Sequence, residues 1–129
     1  SYTDSGYLLT KAGVPLNKLE ESIQVILDEY KKLTKEEVSK EELRRNLDLV
    51  KGKLAIQMEG SDDVANWYAH ETIFRKRPVT PADFLKELKK ITPADIKRVA
   101  KDIFKNKGLN LALIGDIKNS SAIKRRLHF

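Results

Sequence analysis

The sequence predicts an α+β fold, a helix-rich α/β roll fragment with about five to six helices and two or three strands of an antiparallel sheet. Two observations lead to this prediction. Apolar residues recur every three or four positions in several stretches, each of which starts with a helix-capping residue. Two short apolar segments near the ends of the chain, residues 6–14 and 109–114, are bounded by glycine and are typical of strands.

The first predicted strand, Gly6–Val14, precedes a predicted helix with Asn17 as its N-cap. The apolar face of this helix comprises Leu19, Ile23, Ile26, Leu27, Tyr30 and Leu33. A second helix is predicted from Ser39 as N-cap, with Glu42 completing a capping box and Gly60 at its end. Gly52 lies inside this helix, which indicates close packing or a kink. Its apolar face comprises Leu43, Leu47, Val50, Leu54 and Met58.

A third helix is predicted to be capped by residues 61–63 and to end before the basic turn Arg75-Lys76-Arg77-Pro78. The sequence Thr-Pro-Ala-Asp then occurs twice, beginning at Thr80 and at Thr92. Thr at the N-cap and Pro at the first helical position start helices, so the repeat predicts a short fourth helix and a longer fifth one. A strand at Leu109–Ile114, a turn at Gly115-Asp116 and a short terminal helix within 119–129 complete the expected order.

Composition excludes several classes of protein. Apolar residues make up 40% and charged residues 34% of the 129 residues, which is typical of a globular chain, and no apolar run approaches the length of a membrane span. Residues 1–4 lack the features of a signal peptide. The chain has no cysteine, so thiolate metal sites, disulfides and cysteine nucleophiles are excluded. None of these properties indicates a cellular compartment.

The net charge of +6 raises the question of nucleic-acid binding. Lys and Arg alternate with Glu and Asp through most of the chain, which is typical of solvated helix faces. Two basic clusters stand out, Arg75-Lys76-Arg77 and Lys124-Arg125-Arg126. Basic residues also complement the dipole at a helix C-terminus, so nucleic acid is not the expected partner.

No residue is predicted to be catalytic, to ligate a metal or to bind a cofactor. His70-Glu71 lacks the second histidine of a His-Glu-x-x-His zinc motif, because position 74 is Phe74, and His128 is close to the chain end. Trp67 and Tyr68 are expected in the core rather than on a binding surface. Helix capping and solvation account for the adjacent carboxylates at Glu20-Glu21, Glu36-Glu37, Glu41-Glu42 and Asp62-Asp63.

Four stretches in order resemble the insulinase (pitrilysin) zinc metallopeptidases, a family that includes processing peptidase-like proteins. They are residues 2–8, 38–43, 52–61 and, as a closing stretch, 91–100 with 109–116. The resemblance implies that residues 1–129 are a single domain segment, the C-terminal part of the second, non-catalytic domain of such a peptidase and a fragment of a longer chain. In this family the zinc site is a His-x-x-Glu-His motif in the first half, so zinc is expected in the full-length protein or its partner subunit.

The resemblance implies a function as scaffold and chamber wall for peptide hydrolysis in the full-length protein. The expected partners are the remaining domains of the parent or a catalytic partner subunit, with a peptide substrate in the full assembly. Because two strands make only part of a sheet, dimerisation through an open sheet edge near 6–14 is a further expectation. The alternatives are a basic helical nucleic-acid-binding module and a protein-interaction scaffold without an enzymatic parent.

Overall fold

The computed structural model describes residues 6–117 and 120–129, and six α-helices account for most of them. The bounds are α1, Leu19–Lys35; α2, Lys40–Gln57; α3, Ser61–Phe74; α4, Pro81–Leu88; α5, Pro93–Ile103; and α6, Ser120–Arg126. Two short 3₁₀ turns lie at Leu16–Lys18 and Asn106–Gly108. No helix in the described part of the chain is long and apolar enough to span a membrane.

The predicted antiparallel sheet is wrong, because residues 6–117 and 120–129 contain no strand. Residues 6–14 and 109–114 have irregular backbone, and Tyr7, Leu8 and Ile114 are well exposed. An apolar segment becomes a strand only when a neighbour pairs with its backbone N–H and C=O groups, and neither segment has such a neighbour. The described residues therefore contain no sheet edge through which the expected dimerisation could take place.

The chain divides into two compact units. Unit 1 comprises residues up to Tyr7 and Ser39–Pro93, and unit 2 comprises Leu8–Val38 and Ala94–Phe129. Residues 1–5 and 118–119 lie outside the described residues, and so do part of the first resembling stretch and the start of the predicted terminal helix. The expectation of one domain segment over 1–129 stays a prediction.

Unit 2 is built around the apolar face of α1. Ile23 and Leu27 are buried against Ile123 of α6, and Leu27 is only 2% exposed. These two α1 residues are four positions apart and share one helix face, as their periodicity predicts. Half-buried side chains pack around this cluster: Leu19, Leu109, Leu113, Ile117 and Phe129. The chain from 109 to 117 thus contributes apolar side chains to the core although it forms no ladder.

Three aromatic rings pack together in the same unit. The rings of Tyr30 and Phe104 stack with centroids 4.3 Å apart, and Phe129 lies 6.1 Å from Phe104. The backbone N–H of Phe129 donates to Oδ1 of Asn106 at 2.6 Å, and Nε of Arg126 lies 3.0 Å from Oε2 of Glu20. The terminal residues are therefore held by ring packing and polar contacts together.

Two helices of unit 1, α2 and α4, begin at the N-cap residues that the sequence predicts. The backbone N–H of Glu42 donates to Oγ of Ser39 at 3.0 Å, and the N–H of Asp83 donates to Oγ1 of Thr80 at 3.1 Å. Both predicted N-caps are confirmed. Each hydroxyl satisfies a backbone donor that has no partner within its own helix.

Two local predictions are wrong. The N-cap of α1 is Lys18, because Asn17 lies in the preceding 3₁₀ turn. Helix α2 ends at Gln57, and Gly60 is the N-cap of α3 rather than the end of α2. For Gly52, a Cβ would meet nothing within 4 Å, so close packing does not explain this glycine, and the alternative of a kink stays a prediction. The predicted turn at Gly115 is present, with a φ of 153° that favours glycine.

Substitution of Ser39 by Ala is expected to lower the free energy of unfolding of unit 1 by about 1 kcal/mol, because the N–H of Glu42 loses its acceptor. Ser39→Asp is the matched control, since its carboxylate accepts the same hydrogen bond. Urea unfolding followed by the fluorescence of Trp67, the one tryptophan of the chain, measures the change. Equal stability of the Ala variant and the parent would contradict a role for this cap.

Candidate functional site

The candidate site is an open cavity of about 360 Å³ within unit 1. It lies along α3, between the end of α2 and the start of α4. Its lining combines two aromatic rings with polar and charged side chains: Gln57, Asp63, Asn66, Trp67, His70, Glu71, Arg75 and Phe84. The volume falls in the range of small-ligand pockets, about 300–1,000 Å³.

The aromatic floor of the cavity joins α3 to α4. The rings of Trp67 and Phe84 meet edge to face with centroids 5.5 Å apart. This is a favoured geometry for aromatic pairs. The sequence predicts that Trp67 and Tyr68 lie in the core. Trp67 is half-buried, whereas the neighbouring Tyr68 is 40% exposed and lies outside the core.

The loop between α3 and α4 is clamped at Val79 by two side chains of α3. The indole Nε1–H of Trp67 donates to the carbonyl of Val79 at 2.9 Å. The N–H of Val79 donates to Oε2 of Glu71 at 3.0 Å. Both backbone polar groups of one loop residue are thus satisfied by side chains four positions apart on the same helix face.

Glu71 is the buried charged residue of this site, and it is 8% exposed. Nε of Arg75 lies 2.9 Å from its Oε2, one helical turn further on. A carboxylate that loses water needs such partners, because burial of an unpaired charge is strongly unfavourable. Glu71 therefore acts as the anchor of the loop, and Arg75 balances its charge.

The basic clusters do not behave as uniform cationic patches. In the first cluster Arg75 is paired with Glu71, which leaves the exposed Lys76 and Arg77 at the tip of the loop. In the second, Arg126 is paired with Glu20. Since ion pairing within the chain removes one cation from each cluster, fewer charges remain for a polyanion than the sequence suggests.

The two histidines lie in different units, and each contacts a residue of its own unit. His70 is exposed, and its ring packs 4.6 Å from that of Phe74, the residue that replaces the second histidine of a zinc motif. Nδ1 of His128 lies 3.1 Å from the carbonyl of Arg125. Residues 6–117 and 120–129 contain no group of three or more metal-ligating side chains.

A short polar network surrounds the start of α4. Nζ of Lys86 donates to Oδ1 of Asp83 at 2.8 Å, and Oγ1 of Thr80 donates to Oδ2 of Asp83 at 2.8 Å. The hydrogen bond from Lys86, followed by that from Thr80, lowers the pKa of the Asp83 carboxyl below its ordinary value. The same contact raises the pKa of Lys86. This network belongs to helix capping rather than to the cavity.

Substitution of Lys86 by Met is expected to raise the pKa of Asp83 towards its ordinary value, because the main stabiliser of the carboxylate is lost. A lowered folded-state pKa stabilises the fold above the pKa of the unfolded chain, and this contribution is lost as the pH falls through the folded-state pKa. An NMR titration of the Asp83 carboxyl carbon measures the change. Lys89→Met is the control, and equal Asp83 pKa values in both variants would contradict the assignment.

Sequence reasoning missed Glu71 and the clamp on Val79. A detectable pattern was present, since Trp67, Glu71 and Arg75 are spaced four residues apart and so share a helix face ahead of a proline-containing loop. The pattern does not identify Val79 as the partner of Glu71 and Trp67, because Val79 reaches these side chains only when the loop folds back over α3.

The chain is 28% identical over 124 residues to mitochondrial-processing peptidase subunit alpha-2 of Dictyostelium discoideum. The match covers 96% of this chain and 27% of the relative, so the chain spans about a quarter of that protein's length. No family model and no solved structure matches the chain significantly. The chain is thus similar, along nearly its whole length, to a processing peptidase subunit.

Proposed function

We propose that this chain is a C-terminal, non-catalytic domain portion of a zinc-dependent metallopeptidase or of its inactive partner subunit. The observation that carries the proposal is the similarity to a processing peptidase subunit over 96% of the chain. A match of that extent covers nearly the whole chain and does not depend on one motif.

The side chains that the structure brings together support a scaffold role. The Glu71–Val79 contact satisfies a loop backbone, and the Ile23, Leu27 and Ile123 cluster is apolar. In this proposal the chain forms part of the wall of a chamber, and hydrolysis depends on residues of the parent protein or a partner subunit.

In this proposal, zinc is bound by the rest of the assembly and not by this chain. Zinc would supply activation of water for peptide hydrolysis where it is bound. The two histidines of this chain each contact residues of their own unit, so the proposal places the zinc ligands in another part of the parent or in a catalytic subunit. The partners proposed for the chain are accordingly those remaining domains or that subunit.

The test compares the full-length gene product, alone and with any subunit that co-purifies, with the 129-residue chain. Bound zinc is quantified, and cleavage of a quenched fluorescent peptide is measured with and without a chelator. Chelator-sensitive cleavage by the larger assembly alone is the expected result. Stoichiometric zinc with cleavage in the isolated chain would overturn the proposal.

A matched pair of variants sharpens this test. His70→Ala and His128→Ala in the full-length protein are expected to leave zinc content unchanged, because neither side chain belongs to a group of metal ligands within the described residues. Loss of zinc in either variant would contradict a non-catalytic role for this segment.

A further inference from the structure

We propose that one face of unit 2 binds the surface of a membrane that contains anionic phospholipids. This face, which we call the basic face, comprises five exposed cations at the end of α5 and within α6: Lys101, Lys105, Lys107, Lys124 and Arg125. The proposal does not depend on the peptidase relationship. It rests on contacts that join two basic segments distant in the chain, and on the ion pairs of the neighbouring residues.

Two contacts bring the basic segments together. The rings of Phe104 and Phe129 lie 6.1 Å apart, and the N–H of Phe129 donates to Oδ1 of Asn106 at 2.6 Å. Asn106 is flanked in the chain by Lys105 and Lys107, and α6, which contributes the other two cations of its segment, leads into Phe129. The folded chain therefore places these cations on neighbouring parts of one surface.

Helix geometry adds Lys101 to the same face. Lys101 is three positions before Phe104, whose N–H still donates to the carbonyl of Ala100 at 2.9 Å, so helical spacing places the two side chains on one side of the helix. Asp102 is two positions before Phe104, a spacing that directs side chains to nearly opposite sides of a helix. The carboxylate of Asp102 therefore projects away from the basic face.

The cations of the basic face are not neutralised within the described part of the chain. The ion pairs of α5 and α6 use other residues: Nη2 of Arg98 lies 3.5 Å from Oδ1 of Asp95, and Nε of Arg126 lies 3.0 Å from Oε2 of Glu20. No ion pair among the described residues includes a member of the basic face. These pairs remove acids from the vicinity, so the charge of the basic face remains available to an external anion.

The side chains of the basic face favour lipid headgroups over a nucleic acid. Proteins that bind single strands supply aromatic rings on which bases stack. The rings at the basic face are instead packed within the chain, because Phe104 stacks on Tyr30 with centroids 4.3 Å apart and Phe129 packs against both. Four of the five cations are lysines, which act as flexible point charges without the bidentate fork of arginine. Headgroups that move laterally gather around such charges, whereas an acidic polypeptide must place its carboxylates at matching positions.

The number of cations is sufficient for attraction to an anionic membrane. Clusters of about four to eight Lys and Arg are typical of segments that bind phosphatidylserine-containing membranes. The basic face has five such residues, whereas the loop tip of unit 1 has only Lys76 and Arg77 exposed. Because the attraction falls off within a Debye length, about 10 Å at 0.1 M salt, cations must lie on one face to act together.

The test measures co-sedimentation of the 129-residue chain with vesicles made of equal parts of phosphatidylcholine and phosphatidylserine. Salt-sensitive binding to these vesicles, without binding to pure phosphatidylcholine, is the expected result. Lys105→Ala/Lys107→Ala and Lys124→Ala/Arg125→Ala are each expected to weaken binding about tenfold or more, since each removes two charges from the basic face.

Two controls separate this face from net charge and from side-chain packing. Lys51→Ala/Lys53→Ala removes the same charge from exposed positions of α2 in unit 1 and is expected to leave binding unchanged. Lys105→Arg/Lys107→Arg keeps the charge and is expected to bind as the parent does. The proposal is overturned by equal binding to both kinds of vesicle or to neither, or by equal loss in the control and basic-face variants. Tighter binding to labelled poly-uridine RNA or to polyglutamate than to the anionic vesicles would also overturn it.

Discussion

Substitution of Leu27 by Ala is expected to lower the free energy of unfolding of unit 2 by about 2–5 kcal/mol. Leu27 is 2% exposed and lies at the centre of the contact between α1 and α6, with Ile23 and Ile123 beside it. Removal of its branched end leaves a cavity that the surrounding helices fill only in part. Urea unfolding followed by far-ultraviolet circular dichroism measures the loss, and Trp67 fluorescence follows unit 1 in the same samples.

The matched control for Leu27→Ala is the same substitution at Leu49, which is 53% exposed on α2. Substitutions at exposed positions change stability by about 0.5 kcal/mol or less. Leu27→Met keeps the buried volume and is expected to cost less than about 1.5 kcal/mol. Equal effects of Leu27→Ala and Leu49→Ala would show that the cluster around Leu27 is not the core of unit 2.

Substitution of Glu71 by Ala is expected to lower the free energy of unfolding of unit 1 by about 1–3 kcal/mol. The N–H of Val79 loses its acceptor, and the loop between α3 and α4 loses its anchor. The ion pair with Arg75 contributes less, because the Arg75 side chain is 56% exposed and solvent screens the interaction. Urea unfolding followed by Trp67 fluorescence reports directly on the clamp, since the indole contacts the same loop residue.

Glu71→Gln separates the hydrogen bond from the charge. Its amide oxygen still accepts from the N–H of Val79, so a smaller loss than that of the Ala variant is expected. Glu59→Ala, at an exposed position with no side-chain ion pair in the described chain, is the control for loss of a carboxylate. A Gln variant as unstable as the Ala variant would mean that charge, rather than the backbone hydrogen bond, holds the loop.

Local patterns in the sequence predicted most of the helical structure. The Ser39 and Thr80 hydroxyls cap α2 and α4 as expected, because a cap depends on groups only three residues apart. The apolar period of α1 likewise predicted its buried face, including Ile23 and Leu27. At Asn17 and Gly60 the pattern placed a helix end one and three residues, respectively, from its observed position.

Strands and the clamp could not be predicted in the same way. Residues 109–114 have the alternation of a strand, and Leu109 and Leu113 do face the apolar cluster of unit 2. Alternation specifies which side chains are buried, whereas a strand also requires a partner at a distant position in the chain. The role of Glu71 similarly depends on where Val79 comes to lie.

The sequence by itself determined where α2 and α4 begin, that one face of α1 is apolar, and that the chain lacks a complete His-Glu-x-x-His motif. These properties follow from residue types within one or two helical turns, where spacing sets geometry. Only the tertiary structure decided that the apolar end segments remain without a ladder, that Glu71 anchors a loop, and that Arg75 and Arg126 are paired while Lys76 and Arg77 are exposed. The physical reason is that these outcomes depend on contacts between residues brought together by folding, whose distances no local pattern specifies.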